Sequence, residues 1–115
     1  IDETAFKKMK DGVIIVNTAR GLIIDTQALI ASLKNGKVGF AALDTFEGEV
    51  GLYYLNKETQ RLDNHNMAIL KSFPNVILSP HMAFYTEQAV SDMVENSIKG
   101  IIGFECGEDN RLAVK

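Results

Sequence analysis

The sequence predicts an α/β fold in which three parallel strands alternate with helices. Short apolar runs rich in β-branched residues recur along the chain, and segments with helical periodicity lie between them. Strands that alternate with helices in this way pair in parallel through right-handed crossovers. With 115 residues, the chain is long enough for one compact domain with a hydrophobic core.

The first predicted strand follows a short helical segment. Phe6 and Met9 lie at helical spacing, which indicates the end of a helix over residues 3–10, and Gly12 is a stop signal. The run VIIVN, residues 13–17, is rich in β-branched apolar residues, which is typical of a strand buried on both faces.

A second helix and a second strand come next. Asp25 is a good N-cap, and Gly36 is a good C-terminal stop. The helical face between them carries Ala28, Leu29 and Leu33. Residues 38–43, VGFAAL, form the second predicted strand, which ends at Asp44.

The rest of the chain adds two helices and one strand. Residues 63–72 predict a short helix that Pro74 ends, and residues 76–78 predict the third strand. Thr86 is expected to cap the final helix, residues 86–104. Its apolar residues follow the 3.6-residue period: Val90, Met93, Val94, Ile98 and Ile101.

Charged or titratable residues follow each of the three strands. Arg20 lies beyond the first strand, Asp44 ends the second, and His81 lies just past the third. Ligands of open parallel sheets bind beyond the carboxyl ends of the strands, and all these ends share one edge. We therefore expect the three residues to meet at a ligand site.

Composition and charge exclude several classes of partner. The net charge of −3 and the lack of basic clusters argue against nucleic acid. No apolar run has the length of a membrane span, and no signal peptide is visible. Cys106 is the single cysteine, so we expect a reducing, cytoplasmic location.

The residues alone leave alternatives open at this site. Arg20 could bind a substrate carboxylate through two parallel hydrogen bonds, or pair structurally with Asp25 or Asp44. An Arg, a carboxylate and a His would suit redox chemistry on a 2-keto or 2-hydroxy acid, but also a lyase or a hydrolase. No G-x-S-x-G elbow and no His or Cys pair for a metal site is present.

The neighbouring residues suggest which histidines and loop acids have a functional role. Glu47 and Glu49 on their own would be solvated loop acids, and His65 lies in a polar, turn-like stretch. His81 differs, because a buried Glu that accepts from one ring nitrogen would favour the protonated imidazole. Such a histidine is a general acid near neutral pH.

Two long segments carry a family resemblance. VNTARGLIIDTQALIASLKNGKVGFAALDTFEGE and PNVILSPHMAFYTEQAV closely resemble the D-2-hydroxyacid dehydrogenases. They look most like the D-lactate dehydrogenase branch, including the type found in vancomycin-resistance clusters. Much of the family has Glu-Pro where this chain has Gly48, Glu49 and Val50, and the EGE form with a longer loop is the D-lactate-like variant.

The resemblance implies a catalytic role for three residues. Arg20 matches the arginine that binds the substrate carboxylate and polarises its carbonyl group. Glu49, rather than Glu47, matches the carboxylate that pairs with the catalytic histidine, and His81 matches the proton donor.

The resemblance also implies the binding residues and the partners. Thr18, Ala19 and Arg20 match the turn against the nicotinamide, and Asp44 matches the acid near its carboxamide. Phe84 and Tyr85 match positions that shape the substrate pocket. The implied cofactor is NAD, the implied substrate is a small 2-keto acid such as pyruvate, and the implied assembly is a homodimer.

One expected motif is missing from the chain. No G-x-G-x-x-G occurs, although this phosphate-binding turn is part of a Rossmann-like domain. We therefore expect residues 1–115 to be the C-terminal part of an NAD-binding domain, with residues 86–115 as the final helix and tail returning towards a missing substrate domain. The alternative is that the isolated chain is a non-catalytic oligomerising or interaction module.

Overall fold

The computed structural model describes residues 1–53 and 64–107, in two compact units. The first unit is Ile1–Met82 and the second is Ala83–Lys115. In chain order the elements are α1 (Glu3–Lys8), β1 (Val13–Asn17), a 3₁₀ turn (Gly21–Ile23), α2 (Thr26–Lys34), β2 (Val38–Leu43), α3 (His65–Ser72), β3 (Val76–Leu78) and α4 (Glu87–Glu105).

The strands form one parallel sheet in the order β1-β2-β3. Asn17 at the end of β1 is level with Leu43 at the end of β2, and Leu43 is level with Leu78 at the end of β3. The predicted α/β fold, with three parallel strands between helices, is confirmed. All three carboxyl ends therefore lie along one edge, and the loops that follow them are neighbours.

Side-chain caps fix the starts of the helices. The carboxylates of Asp2 and Asp25 accept hydrogen bonds from backbone N–H groups at the start of α1 and α2, and the Asn64 amide oxygen does the same for α3. Helix α1 therefore begins at Glu3 and is a short helix of its own, not the end of one. Helix α3 begins at His65, while the first predicted helical residue, Asp63, lies outside the described residues.

The core lies between the helices and one face of the sheet. Helix α2 packs on β2, α3 packs on β3, and both α1 and α3 contact α2. The most deeply buried apolar side chains are Phe6, Leu29, Val38, Ala41, Leu43 and Leu70. Burying such side chains stabilises the fold by about 1.5–3 kcal/mol for each large one.

The other face of the sheet is open, and the prediction that β1 is buried on both faces is wrong. Ile14 is 65% exposed, Val16 is 66% exposed and Ile77 is 56% exposed. Alternate residues of a strand point to opposite faces, and in the described part of the first unit the helices cover only one of them. An apolar run alone does not tell whether both faces are covered.

The second unit contains one described helix, α4. Thr86 caps it through a hydrogen bond from Ala89 N to Thr86 Oγ1 of 3.2 Å, as its sequence position predicts. Its apolar residues include Met93, Val94, Ile98 and Ile101, and all four are exposed. No helix in the described ranges is long and apolar enough to cross a membrane. The predicted tail, residues 108–115, lies outside those ranges.

Candidate active site

Asn17 folds the loop that follows β1. Its side chain is buried, and its amide nitrogen donates to the Arg20 carbonyl oxygen at 3.0 Å and to the Thr45 carbonyl oxygen at 3.3 Å. Its amide oxygen accepts from Ala19 N at 3.1 Å. One strand-end asparagine therefore shapes the turn at residues 18–20 and ties it to the loop that follows β2.

Gly21 brings the same two loops into direct contact. A Cβ atom on Gly21 would lie 2.2 Å from the carbonyl carbon and oxygen of Phe46 and 2.7 Å from Glu47 N. Real Cβ atoms essentially never approach other atoms so closely. A glycine is therefore required at the first residue of the 3₁₀ turn if the loops are to pack in this way.

The Arg20 side chain is exposed at this edge of the sheet. Its Nη1 donates to the Ala19 carbonyl oxygen at 2.7 Å. Among the described residues it forms no ion pair, so the structural pairing with Asp25 or Asp44 that the sequence left open is not formed. A guanidinium has five N–H donors, and those not used here remain for a ligand.

Glu49 and His81 form a hydrogen-bonded pair. His81 Nδ1 lies 3.1 Å from Glu49 Oε1, and the side chains are 34% and 13% exposed. The second carboxylate oxygen, Oε2, accepts from Phe46 N at 3.2 Å, which holds the carboxylate in place. With Nδ1 facing the carboxylate, Nε2 lies on the other side of the imidazole ring.

The neighbouring acid, Glu47, has a different partner. Its Oε2 accepts from Thr26 N at 3.3 Å, at the first residue of α2. A carboxylate at a helix N-terminus compensates the unpaired N–H groups and the helix dipole. The pair implied by the resemblance, Glu49 with His81, is thus the one that forms, and Glu47 serves α2.

Asp44 lies beneath the turn that carries His81. Its side chain is buried, and its Oδ1 accepts from Ser79 Oγ at 2.5 Å and from Met82 N at 2.8 Å. The Asp44 carbonyl oxygen accepts from His81 N at 3.0 Å. His81 has a φ of +54°, the left-handed region that side chains other than glycine rarely adopt.

Tyr53 belongs to this edge, although nothing in the sequence singled it out. Its ring stands edge-on to Phe46, with the centroids 6.3 Å apart. Partial burial, and then the negative charges of Glu49 and Asp44, raise the pKa of the Tyr53 hydroxyl above its usual value of 10.0. The phenol is therefore held neutral close to both carboxylates.

Sequence reasoning also missed the residues that hold the loops. A polar residue at the end of an apolar strand was a usable signal for Asn17. The packing of Gly21 and the hydroxyl of Ser79 depend on contacts between distant segments and have no local signal. All three residues lie in the segments that carry the family resemblance, but their contacts are visible only in the folded chain.

The remaining predicted residues fall in both units. Thr18 and Ala19 are exposed beyond β1, in the turn held by Asn17. Phe84 and Tyr85 are exposed residues of the second unit, with their ring centroids 6.1 Å apart and the rings edge to face. In the part of the chain that the structure describes, no three His, Cys, Asp or Glu side chains form a potential metal site.

Comparison with known proteins gives a consistent picture. The family model for the D-isomer specific 2-hydroxyacid dehydrogenase, NAD binding domain, matches residues 1–83. An aromatic 2-oxoacid reductase of Clostridium sporogenes is 49% identical over 105 residues, which are 91% of this chain and 32% of that protein. The crystal structure of a Treponema pallidum D-lactate dehydrogenase superposes with a TM-score of 0.90 at 39% identity, over all of this chain and 35% of that one.

A second solved structure concerns the cofactor. The NAD-complexed form of a D-isomer specific 2-hydroxyacid dehydrogenase from Lactobacillus delbrueckii ssp. bulgaricus has a TM-score of 0.88 and 34% identity, covering all of this chain and 35% of that one. The chain thus spans about a third of the length of the relatives it matches.

Proposed function

The chain belongs to the D-isomer specific 2-hydroxyacid dehydrogenase family through its Rossmann-like NAD-binding domain, and we propose that its strand-end loops form the site at which such an enzyme reduces a 2-keto acid. The observation that carries this proposal is the Glu49–His81 pair, 3.1 Å apart at the carboxyl edge of a parallel sheet. Arg20, exposed and without a protein carboxylate among the described residues, follows a strand end on the same edge.

Arg20 is the proposed anchor for the substrate. Its planar guanidinium matches the geometry of a carboxylate and can bind both oxygens at once. The same positive charge also stabilises the charge that develops on the carbonyl oxygen during reduction. Asn17 and Gly21 fix the main chain on either side of Arg20, so the side chain starts from a defined position.

His81 is the proposed proton donor. Reduction of a keto group leaves an alkoxide-like oxygen, and an imidazolium that faces it through Nε2 supplies the proton. The Glu49 carboxylate stabilises the imidazolium and fixes the ring orientation through Nδ1. In the oxidation of a 2-hydroxy acid the neutral imidazole takes the hydroxyl proton instead.

NAD is the cofactor of the family domain, and the described residues suit the nicotinamide part of that cofactor. When bound, the reduced nicotinamide supplies the hydride. The exposed turn with Thr18 and Ala19 lies beyond a strand end, where an open parallel sheet binds its ligand. The family resemblance places Asp44 with Thr18 and Ala19 among the proposed nicotinamide-binding residues. The 115 residues contain no G-x-G-x-x-G turn for the phosphates.

Two substrate classes follow from the comparisons. We propose D-lactate and its keto acid, pyruvate, as the substrate pair, because the Treponema pallidum relative is named as a D-lactate dehydrogenase. An aromatic 2-oxo acid is the alternative, because the Clostridium sporogenes relative is named for that class. Phe84 and Tyr85 are the proposed pocket residues in either case.

The test is NADH-dependent reduction of pyruvate and of phenylpyruvate by the complete gene product that contains these residues. His81→Gln should lower kcat by about 10²–10⁴-fold, because a general acid contributes that much. His65→Gln is the matched control, since His65 is exposed at the start of α3, and it should keep the wild-type rate. Full activity of His81→Gln, or no reduction of either acid by the wild type, would refute the proposal.

An interaction module is the second candidate, and one observation favours it. Ile14, Val16 and Ile77 form an exposed apolar sheet face, which is a common feature of association surfaces. Self-association through this face or through the cofactor domain would give the expected homodimer. Light scattering at micromolar concentration should show a dimer or larger species. A monomer that unfolds cooperatively on heating would count against self-association.

The single cysteine of the chain, Cys106, agrees with a proposed cytoplasmic location.

A further inference from the structure

We propose that Asp44 is a positioning residue that holds the His81 imidazole against Glu49 by fixing the main chain on both sides of the histidine. The inference rests on the proposed function of His81 as the proton donor. It gives Asp44 a second task beside the cofactor contact implied by the family resemblance, because Asp44 acts here through another residue.

The hydrogen bonds of Asp44 reach residues on both sides of His81 in the sequence. Oδ1 accepts from the hydroxyl of Ser79, two residues before the histidine, and from the backbone N–H of Met82, one residue after it. The distances are 2.5 Å and 2.8 Å, which are short because the acceptor is a carboxylate. The backbone carbonyl of Asp44 accepts from the N–H of His81 itself at 3.0 Å.

The histidine needs such a support because its backbone is strained. His81 is the one residue other than glycine with a positive φ in the described ranges, at +54°. A residue other than glycine keeps a left-handed backbone conformation where the surrounding structure holds it there. Such residues cluster at functional sites. Asp44 supplies that constraint from within the fold, because it directly follows β2 and is only 4% exposed.

The burial of Asp44 supports a positioning role. A carboxylate that is 4% exposed and already accepts two hydrogen bonds through one oxygen is built into the fold. Ser79 and Met82 lie on either side of His81, so these two bonds tie the turn after β3 to the Asp44 side chain. Loss of the carboxylate would therefore release the turn and displace the imidazole from Glu49.

The experiment compares Asp44→Asn with Asp44→Ala in the complete gene product. Asparagine keeps a carbonyl oxygen that can accept from Ser79 and Met82, whereas alanine keeps none. We expect kcat for keto-acid reduction to fall by about 100-fold in Asp44→Ala, the effect of a misplacement of about 1 Å, and by less in Asp44→Asn. The dissociation constant of NADH, from fluorescence titration, is measured in both variants, and the positioning role predicts a fall in kcat that exceeds any loss of NADH affinity.

Ser79→Ala tests the same support without touching Asp44. It removes one donor, so kcat should fall while NADH binding is kept. Ser72→Ala is the matched control, because the Ser72 hydroxyl also donates one hydrogen bond, to the Ile69 carbonyl oxygen at the end of α3. It should leave kcat unchanged.

Two results would overturn the inference. In the first, Asp44→Asn is as inactive as Asp44→Ala and both bind NADH weakly, which would assign the Asp44 charge to the cofactor. In the second, Asp44→Ala keeps the wild-type kcat.

A structural readout keeps the test independent of activity. The backbone ¹³C shifts of His81, in protein labelled at histidine and assigned through His81→Gln, report whether φ leaves the left-handed region. We expect the shifts to change in Asp44→Ala and to stay constant in Ser72→Ala. A wild type that reduces no keto acid would refute the proposed function, and unchanged shifts in Asp44→Ala would refute the positioning role.

Discussion

Gly21→Ala tests whether the loops that carry Arg20 and Glu49 are packed as tightly as the structure shows. The new Cβ would lie 2.2 Å from two backbone atoms of Phe46, which cannot rotate away as a side chain could. The loops must therefore separate. Overpacking of this kind costs about 1–3 kcal/mol and occasionally more, and a contact with backbone at 2.2 Å belongs at the upper end of that range.

The assay is denaturant unfolding of the wild type and the variant. The midpoint should fall while the m-value stays constant, because the surface exposed on unfolding is the same. In thermal melting, each kcal/mol lowers the Tm of a domain of this size by about 4–8 °C.

Gly36→Ala is the matched control for the Gly21 prediction. Gly36 has a φ of +78° and nothing within 4 Å of its would-be Cβ, so alanine there adds strain in the left-handed backbone but no clash. The expected cost is about 1 kcal/mol. A Gly21→Ala variant no less stable than Gly36→Ala would refute the close approach of the two loops.

Three further predictions concern single side chains. Arg20→Lys should raise the KM for the keto acid and lower kcat in steady-state assays, because an ammonium lacks the planar two-donor fork; unchanged constants would count against the anchor role. Thr45→Val should leave the free energy of unfolding unchanged or raise it by up to about 1 kcal/mol, since Thr45 Oγ1 is buried without a hydrogen-bond partner among the described residues; a clear loss of stability would reveal a hidden partner. The raised pKa of Tyr53 means that the folded chain keeps a proton which the unfolded chain releases above pH 10.0, so stability should fall as pH rises beyond that value. Tyr53→Phe should make this alkaline loss smaller in urea melts, and an identical loss in both proteins would contradict the shift.

The fold and the edge that carries the site were predictable because they depend on local signals and topology. The β-branched runs mark the strands, and Asp25 and Thr86 mark helix starts through caps that do form. Parallel pairing then brings the strand ends together, whatever the details of packing. Arg20, Asp44 and His81 each follow one of these strand ends.

The choice between Glu47 and Glu49 could not be made from the residue pattern alone. Both acids lie in one loop two residues apart, and only the path of that loop decides which carboxylate reaches the histidine. The family resemblance selected Glu49, and the structure pairs it with His81 while Glu47 contacts Thr26 N. The open face at Ile14 was likewise unpredictable, because an apolar strand gives no information about what covers it.

Long-range support of the site was beyond prediction for the same reason. Asn17 reaches Thr45, 28 residues away, and Asp44 reaches Met82, 38 residues away. A polar residue at a strand end has no sequence feature that names such a partner. These bonds tie the loops that contain Arg20 and His81 to distant segments of the chain.

If Glu49 and His81 form the proton-transfer pair, the pH profile of keto-acid reduction depends on the charge of Glu49. Glu49→Gln keeps the shape of the side chain but removes the charge that stabilises the imidazolium. Reduction requires the protonated ring, so the upper limb of the kcat profile should move to lower pH in Glu49→Gln. Glu47→Gln, which changes a carboxylate bonded to α2, should keep the wild-type profile. A profile that moves with Glu47→Gln and stays fixed with Glu49→Gln would contradict the account.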